Sequence, residues 1–201
     1  MRFALTRLSL IAAMILIAQL QASAQGPPRA LSEAMRNIFL LRDYTAFDWI
    51  GGHYLKGTLT LQGWVRTEQL KQDAVKAARG VGGVDDIVNE IVVLPPLGTD
   101  DDIRVRAYVA VYSSSALERY GPGGQFSSSA LADLADGARF GLDASGIGRG
   151  PHSIHIIVNG ARVLLHGQVR SRGDRQIAEA SVRTLGGVLG VNNQLRVAGQ
   201  K

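Results

Sequence analysis

Cysteine is absent from all 201 residues. Disulfides, thiol nucleophiles, thiolate metal sites and an N-terminal lipidated cysteine are therefore excluded, and stability rests on packed apolar cores. Long apolar runs are scarce as well. Only Leu8–Leu20 near the start is almost wholly apolar, and it is too short for a comfortable span of the bilayer. No later segment is apolar enough to cross a membrane. Histidine occurs four times, at 53, 152, 155 and 166. No nucleophile, base and acid fall into an arrangement that would activate one another. Gly121-Pro122-Gly123-Gly124 and Gly146–Gly150 are not followed by the strand-to-helix turn that cradles phosphate. Asp100-Asp101-Asp102 lacks the twelve-residue ligand spacing of a calcium loop. The residues thus point away from an enzyme and away from any cofactor.

What the sequence does contain is a repeat. Leu61-Gln62-Gly63-Trp64-Val65-Arg66-Thr67 returns as Leu165-His166-Gly167-Gln168-Val169-Arg170-Ser171. Gly82-Gly83-Val84 and Asn89 return as Gly186-Gly187-Val188 and Asn193. A constant offset of 104 gives twelve identities in the thirty-three positions from 61 to 93, which chance does not supply. Two copies of one unit imply two similar modules. Eight of the twelve are Gly, Val, Leu or Asn, which shape backbones and cores.

Arg2 and Arg7, the apolar stretch after them and Ala22-Ser23-Ala24 read as a secretory signal over 1–24, cut after Ala24, with an uncleaved N-terminal anchor as the alternative. Export makes nucleic acid a poor partner. Without Arg2 and Arg7 the net charge falls from 22 − 17 = +5 to 20 − 17 = +3. From residue 149 onward, eight basic groups stand against Asp174 and Glu179. Arg170, Arg172, Arg175 and Arg183 crowd a strand end and the following helix. Arg172 and Arg175 lie near the positive end of that helix, where a carboxylate would be favoured. This misfit marks the four arginines as a candidate site for anions such as lipid headgroups.

Helical spacing of Leu31, Ala34, Met35, Ile38, Phe39 and Leu41 predicts a helix over 31–42. Tyr44–Leu55 is expected to be extended, with Phe47 and Trp49 on one side of the pleat and a bulge or bend at Gly51-Gly52. A turn at Lys56-Gly57 leads into Thr58–Val65, whose alternation puts Leu59, Leu61, Gly63 and Val65 on the inner face. Thr67 caps a helix over 67–80 with a stripe of Ala74, Ala77, Ala78 and Val81, ended by Gly82-Gly83. A third strand covers 87–94. In the second copy, Asp100–Asp102 open a helix carrying Ile103, Ala107, Ala110 and Val111. A strand over 153–158, an Asn159-Gly160 hairpin turn, a strand over 162–169, a Ser171-capped helix with Asp174 as its capping-box acid, and a strand over 191–197 complete it. The Asn159-Gly160 turn pairs Val158 with Ala161, so His155 faces Leu164 and Ser153 faces His166. Residues 113–151 form a Gly/Ser-rich insertion, read as a mobile surface loop that is either a functional lid or idle, with a short helix at Ser129–Ala138. The fold class is α+β: two modules, 31–97 and 98–201. Each is helix–strand–strand–helix–strand, with a three-stranded mixed sheet covered on one face by two helices.

Gly57–Val65, then a helix, Gly82-Gly83-Val84 and Val88-Asn89-Glu90-Ile91 resemble the BON domain, the bacterial OsmY and nodulation domain. Gly160–Val169, Gly186-Gly187-Val188 and Val191–Leu195 repeat the pattern. The resemblance covers most of 31–97 and 101–197 and fails at the signal and the insertion. It implies a non-catalytic module of periplasmic envelope proteins, tied to osmotic or envelope stress and to binding phospholipid or partner proteins. Gly63 and Gly167 are then structural, sparing a clash with the helix above, and Asn89 and Asn193 bond to backbone at the sheet edge. Gly83, Val84, Gly187 and Val188 belong to the same structural motif.

Two other functions remain open. Val88, Val92 and Leu94 would suit a chaperone-like stress factor for exported proteins. His152, with His155 and His166 as diagonal neighbours on an outer sheet face, would suit a metal-dependent hydrolase. The bland alternative for that face is a half-exposed surface of His155, Ile157, Arg162, Leu164 and His166. Tyr44, Phe47, Trp49, Tyr54 and Trp64 form an aromatic group in the first copy, read as the core between the two modules.

Overall fold

The computed structural model describes residues 28–121 and 152–199. The signal segment and the insertion helix at 129–138 lie outside the described residues. The first module runs α1 (Arg29–Phe39), β1 (Trp49–Leu55), β2 (Thr58–Val65), α2 (Glu68–Arg79) and β3 (Asp86–Val93). The second runs α3 (Gly98–Tyr112), a 3-10 turn (Glu118–Tyr120), β4 (Ile154–Asn159), β5 (Arg162–Val169), α4 (Arg172–Arg183) and β6 (Gly190–Val197). The sheets have the orders β1-β2-β3 and β4-β5-β6. In each, the first pair is antiparallel and the second parallel. From β2 to β3 every boundary recurs 104 residues later. The first helices break the offset, because nine residues (40–48) separate α1 from β1 and forty-one (113–153) separate α3 from β4.

Alternation delivers the cores. Leu59, Leu61 and Val65 of β2 and Val163, Leu165 and Val169 of β5 face the helices and are buried. Leu70, Ala74 and Ala78 meet them from α2, and Ala178 and Val182 from α4. Thr67 and Ser171 cap these helices, each accepting from the amide three residues on. The helices end at Arg79 and Arg183, three residues before each Gly-Gly pair. Only the second glycine, Gly83 (φ +89) or Gly187 (φ +84), is left-handed, and it launches the third strand instead of capping the helix. Val84 and Val188 behind them pack against the cores.

Four local expectations are corrected. Extended structure starts at Trp49, not Tyr44, because Thr45 and Asp48 hold 44–48 as a turn: the Thr45 hydroxyl donates to Asp48 Oδ2 at 2.6 Å. Gly51-Gly52 makes no bulge, since pairing continues unbroken from Trp49↔Trp64 to Leu55↔Thr58. These glycines make room for neighbours: a Cβ on Gly51 would stand 2.7 Å from the Trp49 indole, and one on Gly52 2.8 Å from Leu31. Gly63 and Gly167 are small for the strand beside them and not for the helix above. A Cβ there would stand 2.0 Å from the carbonyl oxygen of Trp49 or Ser153.

The fourth correction is the second hairpin. Its turn is Gly160-Ala161 (φ +57 and +61), so Asn159 pairs with Arg162 and His155 lies directly opposite His166. The carboxylate of Asp100, fully buried at the start of α3, accepts from the amides of Gly160 and Ala161, both at 2.8 Å. That pair of bonds holds an alanine in a conformation it disfavours. The offset of 104 maps Lys56-Gly57 (φ +48 and +86) onto this same turn.

The start of the insertion is not a surface loop. Leu117 and Tyr120 are buried in the second core, and the Tyr120 carbonyl accepts from Ser153 N at 2.9 Å.

Candidate anion-binding site

The four arginines are divided by the fold. Arg172 and Arg175 stand three residues apart in the first turn of α4, both exposed. With Gln176, Glu179 and Val197 they line a groove of about 410 Å³. Arg175 is pinned by a 2.9 Å bond to the Asn193 carbonyl. Arg170, at the end of β5, is exposed, and its amide donates to the Tyr120 hydroxyl at 2.7 Å. Arg183 sits at the far end of α4 and is ion-paired with Glu179. The structure therefore groups Arg172 and Arg175 and sets Arg183 apart.

Asp174 does not neutralise this surface, nor does its carboxylate complete a capping box. It turns inward, 5% exposed, accepting from Arg119 Nη2 at 2.7 Å and the Tyr120 hydroxyl at 2.8 Å. Burial raises its proton affinity, but bonds from Tyr120, Ser171 and Arg119 outweigh this and hold it below the usual carboxylate range. Arg119 and Tyr120 were missed as partners. An aromatic beside Leu117 in a Gly/Ser-rich stretch was the available signal.

Asn89 and Asn193 each accept from the amide two residues on, at 3.1 and 3.2 Å. Asn89 is exposed, while Asn193 also ties β6 to α4 through the Arg175 carbonyl at 2.9 Å. Asn193 thus fastens its edge strand to the helix, while the Asn89 bond stays within β3.

The aromatic group splits between the modules. Phe47 leaves its own module and enters the second core, edge-on to Tyr108 at 5.8 Å. Trp49 lies against Trp64 at 5.8 Å and against His166 at 3.9 Å. Tyr44 meets His155 at 5.7 Å. The amide of Ile156, on the open edge of β4, donates to the Ala46 carbonyl at 2.7 Å. Asp48 anchors this connector, accepting also from the Arg66 amide at 2.8 Å. Burial pushes its carboxyl up, opposed by Arg66 and by its hydrogen bonds. Tyr54 instead serves its own module, donating to the Gly83 carbonyl at 2.6 Å.

The outer face of β4 is consequently not half-exposed: every residue from Ile154 to Val158 is buried. Burial, reinforced by His152, pushes the His155 imidazole down to about 4. His166 is lowered by burial and by Arg196. The histidines have aromatic neighbours: His152 lies 3.1 Å from the Tyr108 hydroxyl, and His155 and His166 abut Tyr44 and Trp49. Among the described residues no three His, Cys, Asp or Glu side chains are placed to share a metal ion. Leu94, expected on an apolar outer surface, is buried, whereas Val88 and Val92 are exposed.

Among the described residues no helix is long and apolar enough to cross a membrane. No curated protein matches the chain. The C-terminal domain of CdsD, the structural protein of the type III secretion system of Chlamydia trachomatis, is similar at 12% identity. That match covers 86% of this chain and 99% of that one, with a TM-score of 0.27. A second CdsD structure gives 12% identity, 84% and 92% coverage and a TM-score of 0.26. The BON domain profile matches residues 54–95 and 140–199. BON domains are associated with periplasmic and envelope proteins and with membrane binding, and the family is in general non-enzymatic. Matched once in each module, the chain belongs to the BON domain family and carries the domain in tandem.

Proposed function

We propose that this protein is a non-enzymatic periplasmic binding protein of the envelope, exported by a signal cleaved after Ala24. In this reading it engages anionic phospholipid during osmotic or envelope stress. The observation that carries the reading is the exposed groove shared by Arg172 and Arg175, from which the nearest acid on the helix, Asp174, is withdrawn into the core. Glu179 is shared with Arg183, so the helix start keeps excess positive charge beside Arg170. Each basic group near an anionic surface contributes about 1 kcal/mol, weakening with salt. Replacing both arginines with glutamine should then weaken binding to phosphatidylglycerol or cardiolipin vesicles about 30-fold at low salt. Arg183→Gln should change it little. Vesicle co-sedimentation at two salt concentrations measures both, and indifference of the unmodified protein to such vesicles ends the lipid reading.

A second reading, a chaperone-like factor for exported proteins, draws on Val88 (41% exposed) and Val92 (52% exposed) on the edge strand β3. An exposed apolar edge is a template for another extended chain. Photo-crosslinking in cells from position 88 or 92 should then trap unfolded exported proteins. Traps confined to lipid would refute it.

A further inference from the structure

Between the end of α1 and the start of β4 lies a pocket of about 640 Å³. Its walls are mainly apolar: Met35, Phe39, Leu40 and Leu41 from the first module, with Tyr44 and His155 buried behind them. Phe39 is 50% exposed and Leu40 76%, a costly display of large apolar side chains, although the Phe39 ring has Tyr44 beside it at 5.3 Å. Arg36 and Arg42 also border the pocket and are exposed. No carboxylate lines it, and among the described residues neither arginine is ion-paired. Arg36 complements the negative end of α1. Arg42, beyond the helix, has no such role.

His152 lines the pocket beside Tyr44 and His155, 3.1 Å from the Tyr108 hydroxyl. Burial keeps the Tyr44 phenol protonated and the His155 imidazole uncharged near neutral pH. The occupant must therefore be largely apolar and carry negative charge only at the end that meets the arginines. The volume falls in the range of single small-ligand pockets and suits one alkyl chain better than two. The planar arginine fork matches a carboxylate. We propose that this pocket binds a long-chain fatty acid, its chain along Phe39, Leu40 and Tyr44 and its carboxylate between Arg36 and Arg42. The site lies apart from Arg172 and Arg175 and is independent of vesicle binding.

Titration of the purified full chain with the fluorescent fatty acid cis-parinaric acid tests it. Saturable uptake of one probe per chain is expected. Arg36→Glu/Arg42→Glu should weaken it at least tenfold, and so should Leu40→Asp; all three positions are exposed, so folding should survive. Arg172→Gln/Arg175→Gln should bind the probe like the unmodified protein, which separates this site from the vesicle site. Dodecanoate should displace the probe at least tenfold better than dodecanol. Absence of saturable uptake, undiminished binding by Arg36→Glu/Arg42→Glu, or equal displacement by dodecanol would overturn the proposal. Displacement by lysophosphatidylglycerol and not by dodecanoate would overturn the carboxylate assignment.

Discussion

Acidification should loosen the contact between the modules through His155. This imidazole is buried on the face of β4 that meets Tyr44, with its Nδ1 lacking a hydrogen-bond partner. It ionises at about 4 in the folded protein, against an ordinary 6.5. The unfolded chain therefore binds the extra proton more readily, and stability rises with pH across this window. The contribution is intact above pH 6.5 and is lost progressively as pH falls toward 4. The full shift corresponds to about 3 kcal/mol, of which about 2 kcal/mol is already gone at pH 5. His166 acts in the same direction. Asp48, raised by burial, acts in the opposite one. Subtracting a His155→Leu variant removes this titration together with its electrostatic coupling to His152 and His166. Urea unfolding at pH 7, 6 and 5 is the assay. The unmodified protein should lose about 2 kcal/mol more than the variant between pH 7 and 5. Parallel pH profiles for the two proteins would refute the reasoning.

Phe47→Ala should cost about 3–5 kcal/mol, because it empties a ring from the second core although residue 47 belongs to the first module. Hydrogen exchange of the Ile156 amide, bonded to Ala46, should accelerate with it. Gly167→Ala should cost about 3 kcal/mol, since its Cβ would overlap the Ser153 carbonyl at φ +129. Gly186→Ala, with nothing within 4 Å, should change the thermal midpoint little. Asp100→Ala should cost about 3 kcal/mol in denaturant unfolding by releasing two amides of the β4–β5 turn from a charged acceptor.

Much of this architecture was legible because local physics wrote it twice. Alternation placed Leu59, Leu61 and Val65 inside, and the hydroxyls of Thr67 and Ser171 capped the helices as read. The errors share a cause. The Asn159-Gly160 signal is a local preference, overruled by a carboxylate sixty residues away at Asp100. Gly51 and Gly52 looked like a bulge, yet they clear space for Trp49 and Leu31, one of them from another element. The arginine cluster was visible as composition. That Asp174 leaves the surface depended on Tyr120, whose role no spacing announces, whereas the Glu179–Arg183 pair is a local contact four residues apart on one helix.

Periodicity, capping and the 104-residue repeat thus carried element order, sheet topology and family, because these depend on neighbours within a few positions along the chain. The partition of Phe47 into the second core, the burial of His155 and the inward turn of Asp174 onto Tyr120 came from packing between distant segments. Such contacts leave no mark on local spacing: side chains far apart in sequence meet only when two sheets close on one connector.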